Sequence, residues 1–111
     1  MIIIDQKLRA REAAGTPIQV GLIGAGEMAI GLVNQIERHI PGMRIAAIYN
    51  RTAARAHQAY QTAGVEAVLS ASTASQVDDA IRRNRGVVTE SVQVLVDAAS
   101  IDVIVEMTGA I

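Results

Sequence analysis

Two rhythms alternate along this chain. Apolar runs of strand length recur at Ile18–Ile23, Arg44–Tyr49, Val65–Leu69, Gly86–Thr89 and Ile101–Met107. Between them, apolar residues return at helical spacing. From about Gly26 to His39, Ala29, Val33, Ile36 and Ile40 share one face, and Glu27, Asn34, Glu37 and Arg38 take the others. Pro41-Gly42 breaks that helix, and His39 sits at its solvated end. Thr52 is suited to cap a helix over Ala53–Thr62, which Gly64 stops; His57 and Tyr60 within it read as structural. Thr73-Ala74-Ser75-Gln76 fits a capping box and predicts a helix to about Asn84. Val77, Ala80 and Ile81 face inward there, and Asp78, Asp79, Arg82 and Arg83 outward. Ser91 caps a last helix to about Ala99, with Val92, Leu95, Val96 and Ala99 as its apolar stripe. The run Ile101–Met107 predicts a strand buried on both faces.

Ahead of these, Met1–Gly15 reads as a short lead-in helix with Asp5 as its cap and Leu8, Ala10 and Ala13 as contacts. Lys7, Arg9 and Arg11 face water, and Gly15 with Pro17 ends the segment. Strand–helix alternation predicts an α/β fold: a Rossmann-like, doubly wound, mostly parallel sheet over residues 17–111, preceded by an arm over residues 1–16.

Chemistry concentrates at the first strand-to-helix junction. Gly24-Ala25-Gly26-Glu27-Met28-Ala29 fits G-x-G-x-x-[GA] with a strand before it and a helix after it, the context that gives the motif meaning. Gly24 permits the tight turn, Gly26 lets a pyrophosphate approach the backbone, and Ala29 lets helix and strand pack closely. Phosphates would rest on the open N–H groups of a helix N-terminus, where the dipole favours negative charge. Gly21 and Gly31, outside the motif, read as close-packing positions.

The second strand ends in Asn50-Arg51-Thr52, somewhat further on than the roughly 20 residues usual between the glycine turn and the ribose-binding residue. An NAD site commonly places an acid here. This chain has none between Met43 and Gln61 and offers Arg51, which can pair with a 2′-phosphate, with Asn50 and Thr52 as supporting donors. The expected cofactor is therefore NADP(H), with NAD(H) as the weaker alternative. Arg55, one turn on, could add charge there but reads first as an exposed residue. At the end of the last strand, Glu106, Met107, Thr108 and Gly109 would lie near the nicotinamide, chiefly through backbone groups.

Composition narrows the alternatives. The chain has 111 residues, half of them apolar, and its aromatics are two tyrosines, so Ala, Val and Ile must build the core. A net charge of −1 gives no basic field for nucleic acid, and the absence of cysteine excludes disulfides and thiolate metal sites. No apolar run approaches a membrane span, and no secretion-signal pattern opens the chain, so a cytoplasmic protein is expected. No Ser-His-Asp constellation and no metal-ligand cluster is visible, and Asp78 and Asp79, adjacent on a helix, do not face one another as an acid/base pair.

Taken in order, Leu8-Arg9-Ala10-Arg11, Pro17-Ile18-Gln19-Val20-Gly21-Leu22-Ile23-Gly24-Ala25-Gly26, Gly86-Val87-Val88-Thr89-Glu90 and Asp102-Val103-Ile104-Val105-Glu106-Met107-Thr108-Gly109 carry a likeness. On these residues the chain resembles the homoserine dehydrogenase-like NAD(P)-binding family. The likeness is greatest to its branch with a C-terminal SAF domain, which includes a deoxyxylulose-phosphate reductoisomerase-like enzyme. The resemblance implies the nucleotide-binding portion of an oxidoreductase, which orients a nicotinamide for hydride transfer. It places the catalytic domain beyond Ile111, so no catalytic residue is assigned. Ala29 stands where many relatives have glycine, and Glu27 brings a negative charge beside the expected pyrophosphate, weakening binding unless it points to solvent. A sheet edge left for missing strands is also a place for self-association. The alternative function is a free-standing nucleotide-binding or interaction module without catalysis. S-adenosylmethionine binding, which wants an acid at the second strand's end, fits Asn50-Arg51 poorly.

Overall fold

A computed structural model of the chain describes residues 2–107. The elements run α1 (Ile2–Ala13), β1 (Ile18–Ile23), α2 (Glu27–His39), β2 (Met43–Tyr49), α3 (Ala53–Thr62), β3 (Val68–Ser70), α4 (Ala74–Arg82), β4 (Gly86–Thr89), α5 (Val92–Asp97) and β5 (Val103–Glu106). The five strands form one sheet in the order β3-β4-β2-β1-β5, and every pairing is parallel. This is a Rossmann-like α/β fold. Its β4-β2-β1-β5 core matches one wound half of such a sheet plus the first strand of the other, with β3 added outside.

Crossover handedness explains which helix covers which face. The steps β1 to β2 and β2 to β3 run toward one edge of the sheet, and the steps β3 to β4 and β4 to β5 run back. Right-handed connections then put α2 and α3 on one face and α4 and α5 on the other. The core divides accordingly. Val20, Leu22, Ile45, Ile48 and Val88 pack with Ala29, Val33 and Ile36 of α2 and Ala56, Ala59 and Tyr60 of α3. Ala47 and Val87 pack with Val77 and Ala80 of α4 and with Leu95. A register shift between Val20 and Gly21 passes over Ala46, so Ile45 and Ile48 both reach the α2–α3 side. Tyr60 is fully buried; its hydroxyl donates to the Ile45 carbonyl at 2.9 Å and accepts from the Val87 N–H at 3.3 Å. Burial pushes this phenol well above its ordinary range. A Cβ at Gly86 would come within 2.9 Å of the Tyr60 ring, so β4 must open on glycine.

Several sequence expectations need correction. β5 is not buried on both faces: it is an edge strand, and Val103 and Ile104 are exposed because, among the described residues, only β1 pairs with it. Helix α5 is six residues long, so its stripe is not the expected one. Leu95 and Ala98 are buried, Val94 packs partly against them, and Val92, Val96 and Ala99 are exposed. β3 starts three residues later than the apolar run suggested. Asp5 lies inside α1 rather than at its cap, because the helix already begins at Ile2. Ala10 and Ala13 are exposed. The arm instead docks on Gly42, through the Glu12 carboxylate, which accepts the Gly42 N–H at 2.8 Å, and through the Leu8 backbone, which lies against Gly42. Gly31 is exposed with open space around it, whereas a Cβ at Gly21 would press on Ile101 and Leu95. Among the described residues no helix is long and apolar enough to cross a membrane.

Candidate nucleotide-binding site

In an open α/β sheet, ligands bind outside the carboxyl ends of the strands where the chain switches direction. Here that point lies between β1 and β5: β1 leads to β2 on one side, and the chain returns to β5 on the other. Gly24 follows β1 with φ +106, a left-handed conformation that side chains resist, and its N–H donates to the Tyr49 carbonyl at 2.8 Å. The turn is thereby pinned to the end of β2. On the other side, the Met107 N–H donates to the Ile23 carbonyl at 2.7 Å. Three strand ends thus meet at one cleft of about 370 Å³, lined by Gly24, Ala25, Gly26, Tyr49, Asn50, Arg51, Arg55 and Met107.

Gly26 is the N-cap of α2, with extended backbone and no side chain to satisfy the first-turn N–H groups. A Cβ built on it would meet nothing within 4 Å. The residue is therefore not glycine for packing; the space beside its backbone is open. A diphosphate fits this arrangement: uncapped helical N–H groups, a dipole of the right sign and room for close approach. Ala25 and Ala29 are buried beneath the turn. Glu27 and Met28, expected near the phosphates, are exposed to solvent and do not line the cleft.

At the end of β2 the Asn50 side chain donates to the Thr52 carbonyl at 2.9 Å, which holds the loop that carries Arg51. Thr52 occupies the N-cap position of α3, but its hydroxyl makes no capping bond and it does not line the cleft. Arg51 and Arg55 are both exposed and both line the cleft, and no carboxylate shares its lining. The cleft is thus a cationic pocket in a nearly neutral protein. Sequence reasoning gave Arg55 only as a residue that could add charge, and it passed over Tyr49. The i, i+4 spacing of Arg51 and Arg55 was the signal for the first, while Tyr49 is visible only once β1 and β2 are in register. Thr108 and Gly109 lie outside the described residues, and Met107 alone represents the β5 end. Among the described residues no group of three or more His, Asp or Glu side chains could hold a metal ion. No protein-family model matches the chain, and the comparison with curated proteins found no match.

Proposed function

We propose that this chain is the NADP(H)-binding portion of an oxidoreductase of the homoserine dehydrogenase-like kind. One observation carries the reading: an uncapped helix N-terminus at Gly26 and the Arg51 guanidinium open onto the same acid-free cleft. The turn would take the diphosphate on backbone N–H groups, and Arg51 would pair with the ribose 2′-phosphate that distinguishes NADP from NAD. The β5 end, at Met107, lies on the side of β1 away from β2, where the nicotinamide of a cofactor stretched across the switch point would fall. The bound dinucleotide would supply hydride chemistry; this chain's residues would hold and orient it. The reading goes with a cytoplasmic protein. It also leaves β5, with Val103 and Ile104 exposed, as the strand on which a second copy or further strands would add.

Titration of the chain with NADPH and with NADH tests the proposal. NADPH should bind more tightly, and Arg51→Ala should weaken NADPH by about 1–3 kcal/mol while leaving NADH nearly unchanged. Equal affinities for the two cofactors would remove the 2′-phosphate from the reading. No binding of either would remove the nucleotide.

A further inference from the structure

Two parts of the molecule are left uncovered, and their charges are opposite. The first is the arm. From Gln6 to Ala13 every residue of α1 except Leu8 is exposed, and the helix carries Lys7, Arg9 and Arg11. A helix of 12 residues is marginal in water without packing. Leu8 and Glu12, one turn apart, form the side that docks on Gly42. Ala10 and Ala13 share the opposite flank, between Lys7 on one side and Arg9 on the other.

The second is the surface beside α5 and β5. Leu95 turns inward, and Val94 packs into the cluster that α5 shares with α4. Val92 and Val96 take the other flank of α5 and are exposed. That flank looks toward β5, since α4 joins β3 to β4 and α5 joins β4 to β5. Ile104 is exposed on the same face of the sheet: Val105 packs with the α2–α3 cluster, and side chains alternate along a strand. Val92, Val96 and Ile104 therefore border one open apolar bay. Acids stand at the ends of both elements around it, Glu90 and Asp97 at α5 and Asp102 and Glu106 at β5, and no Lys or Arg occurs between Gly86 and Met107. Asp97 and Asp102 accept hydrogen bonds from the Gln93 side chain and the Gln19 N–H, which leave their charge in place.

We propose that this bay receives helix α1 of a second copy of the chain. Charge selects the occupant. Two bays face to face would set acid against acid, whereas the arm brings cations to the acidic rim and a small apolar flank to the valines. The flank lies opposite the docked side, so the arm reaches the second copy without leaving its own body. Two copies related by a twofold axis make the contact twice.

Sedimentation velocity of the whole chain over a range of concentrations tests the proposal. A dimer that weakens as salt is raised is expected. Lys7→Glu with Arg9→Glu should weaken it about tenfold or more, and so should Glu90→Lys with Asp97→Lys, the scale of like charges brought together. Thermal unfolding of both variants should stay near that of the parent. An equimolar mixture of the two variants should dimerise where neither does alone, and all four changes in one chain should restore the dimer. A chain that stays monomeric at every concentration overturns the proposal, and so does a failure of both restorations. The Asp102 N–H faces β1, so the Val103 N–H faces outward, and Val103→Pro removes it without touching the ladder. A dimer unmoved by charge reversal but lost in Val103→Pro assigns self-association to pairing of β5 edges and overturns the role of the arm. None of these outcomes bears on the nucleotide reading of the cleft, which stands or falls by its own titration.

Discussion

The two ends of the sheet are finished in opposite ways. At the amino end, acidic side chains close off backbone N–H groups that the parallel ladder leaves open. Asp102 accepts from the Gln19 N–H at 2.8 Å, Glu37 from the Ile45 N–H at 2.7 Å, and Glu12 from the Gly42 N–H at 2.8 Å. Asp78 does the same for Ser100 at 2.9 Å, just before β5. At the carboxyl end beside β1 and β2, the opposite holds: glycine caps a helix with nothing, and two arginines share a cleft without an acid. Buried or half-buried N–H groups left unpaired cost free energy, so a protein that satisfies them at one end and not at the other is treating the ends differently. The amino end is finished for stability; the carboxyl end beside β1 and β2 is not, and on the proposed reading it receives a ligand that brings acceptors and negative charge.

The largest effect should come from removing the opening itself. Gly26→Val places a branched side chain in the space beside the α2 N-terminus, and NADPH affinity should fall by about 100-fold or more, the scale of several lost charge-assisted hydrogen bonds. Thermal unfolding should stay close to that of the parent, because a Cβ at this position meets no neighbour within 4 Å. Retained binding would sink the role given to the turn. A variant that instead unfolds would show that the site is packed more tightly than the structure shows.

The acid-closed end predicts the converse: lost stability with affinity intact. Glu37 is half-buried, and burial raises its carboxyl above the ordinary value of 4.5, against the lowering effects of the Ile45 N–H and Arg44. A raised carboxyl favours the folded state most when protonated, so its contribution declines as pH climbs through 4.5 toward the higher folded value. Glu37→Gln keeps an acceptor for the Ile45 N–H and removes that titration. The stability of Glu37→Gln relative to the parent should therefore rise across this window, as followed by urea unfolding at pH 4 to pH 7. Glu37→Ala, which leaves the Ile45 N–H without a partner, should cost about 1–3 kcal/mol at pH 4, a cost that shrinks across the same window as the parent loses its protonated carboxyl, and should leave NADPH binding unchanged. A flat difference for Glu37→Gln would mean that the carboxyl does not carry a burial penalty.

The same contrast explains what could be read from the sequence. The capping box at Thr73 and Gln76, the stop at Gly64 and the turn at Gly24 were legible because each is set by a few neighbouring residues with specific backbone needs. The parallel sheet followed from strand–helix alternation. The acid caps were not legible, since Asp102 and Gln19, or Glu37 and Ile45, meet only after strands and helices have packed. Exposure on β5 was missed for a related reason: Val103 and Ile104 read as a core strand, and apolarity cannot say how many neighbours a strand will have. Arg55 was underestimated because its companion is Arg51 across a turn, and charge alone does not mark a cleft.

The smallest effect tests the contrast most directly, within the carboxyl end. Helix α4 begins there too, yet it is closed: the Thr73 hydroxyl accepts the Gln76 N–H at 3.1 Å, and the Gln76 side chain accepts from the Thr73 N–H at 3.3 Å. Thr73→Ala should cost about 1 kcal/mol of stability and leave NADPH affinity alone. Gly26→Ser makes α2 resemble α4 by supplying the missing hydroxyl, and should add a few tenths of a kcal/mol to stability, the usual difference between serine and glycine at this position. Its hydroxyl would take up an N–H that a phosphate needs, so affinity should fall even as the fold gains. Stability and affinity moving in opposite directions in one variant would show that the α2 N-terminus is left uncapped for binding. If Gly26→Ser gains stability and binds NADPH as well as the parent, the open end of α2 is not where the diphosphate sits.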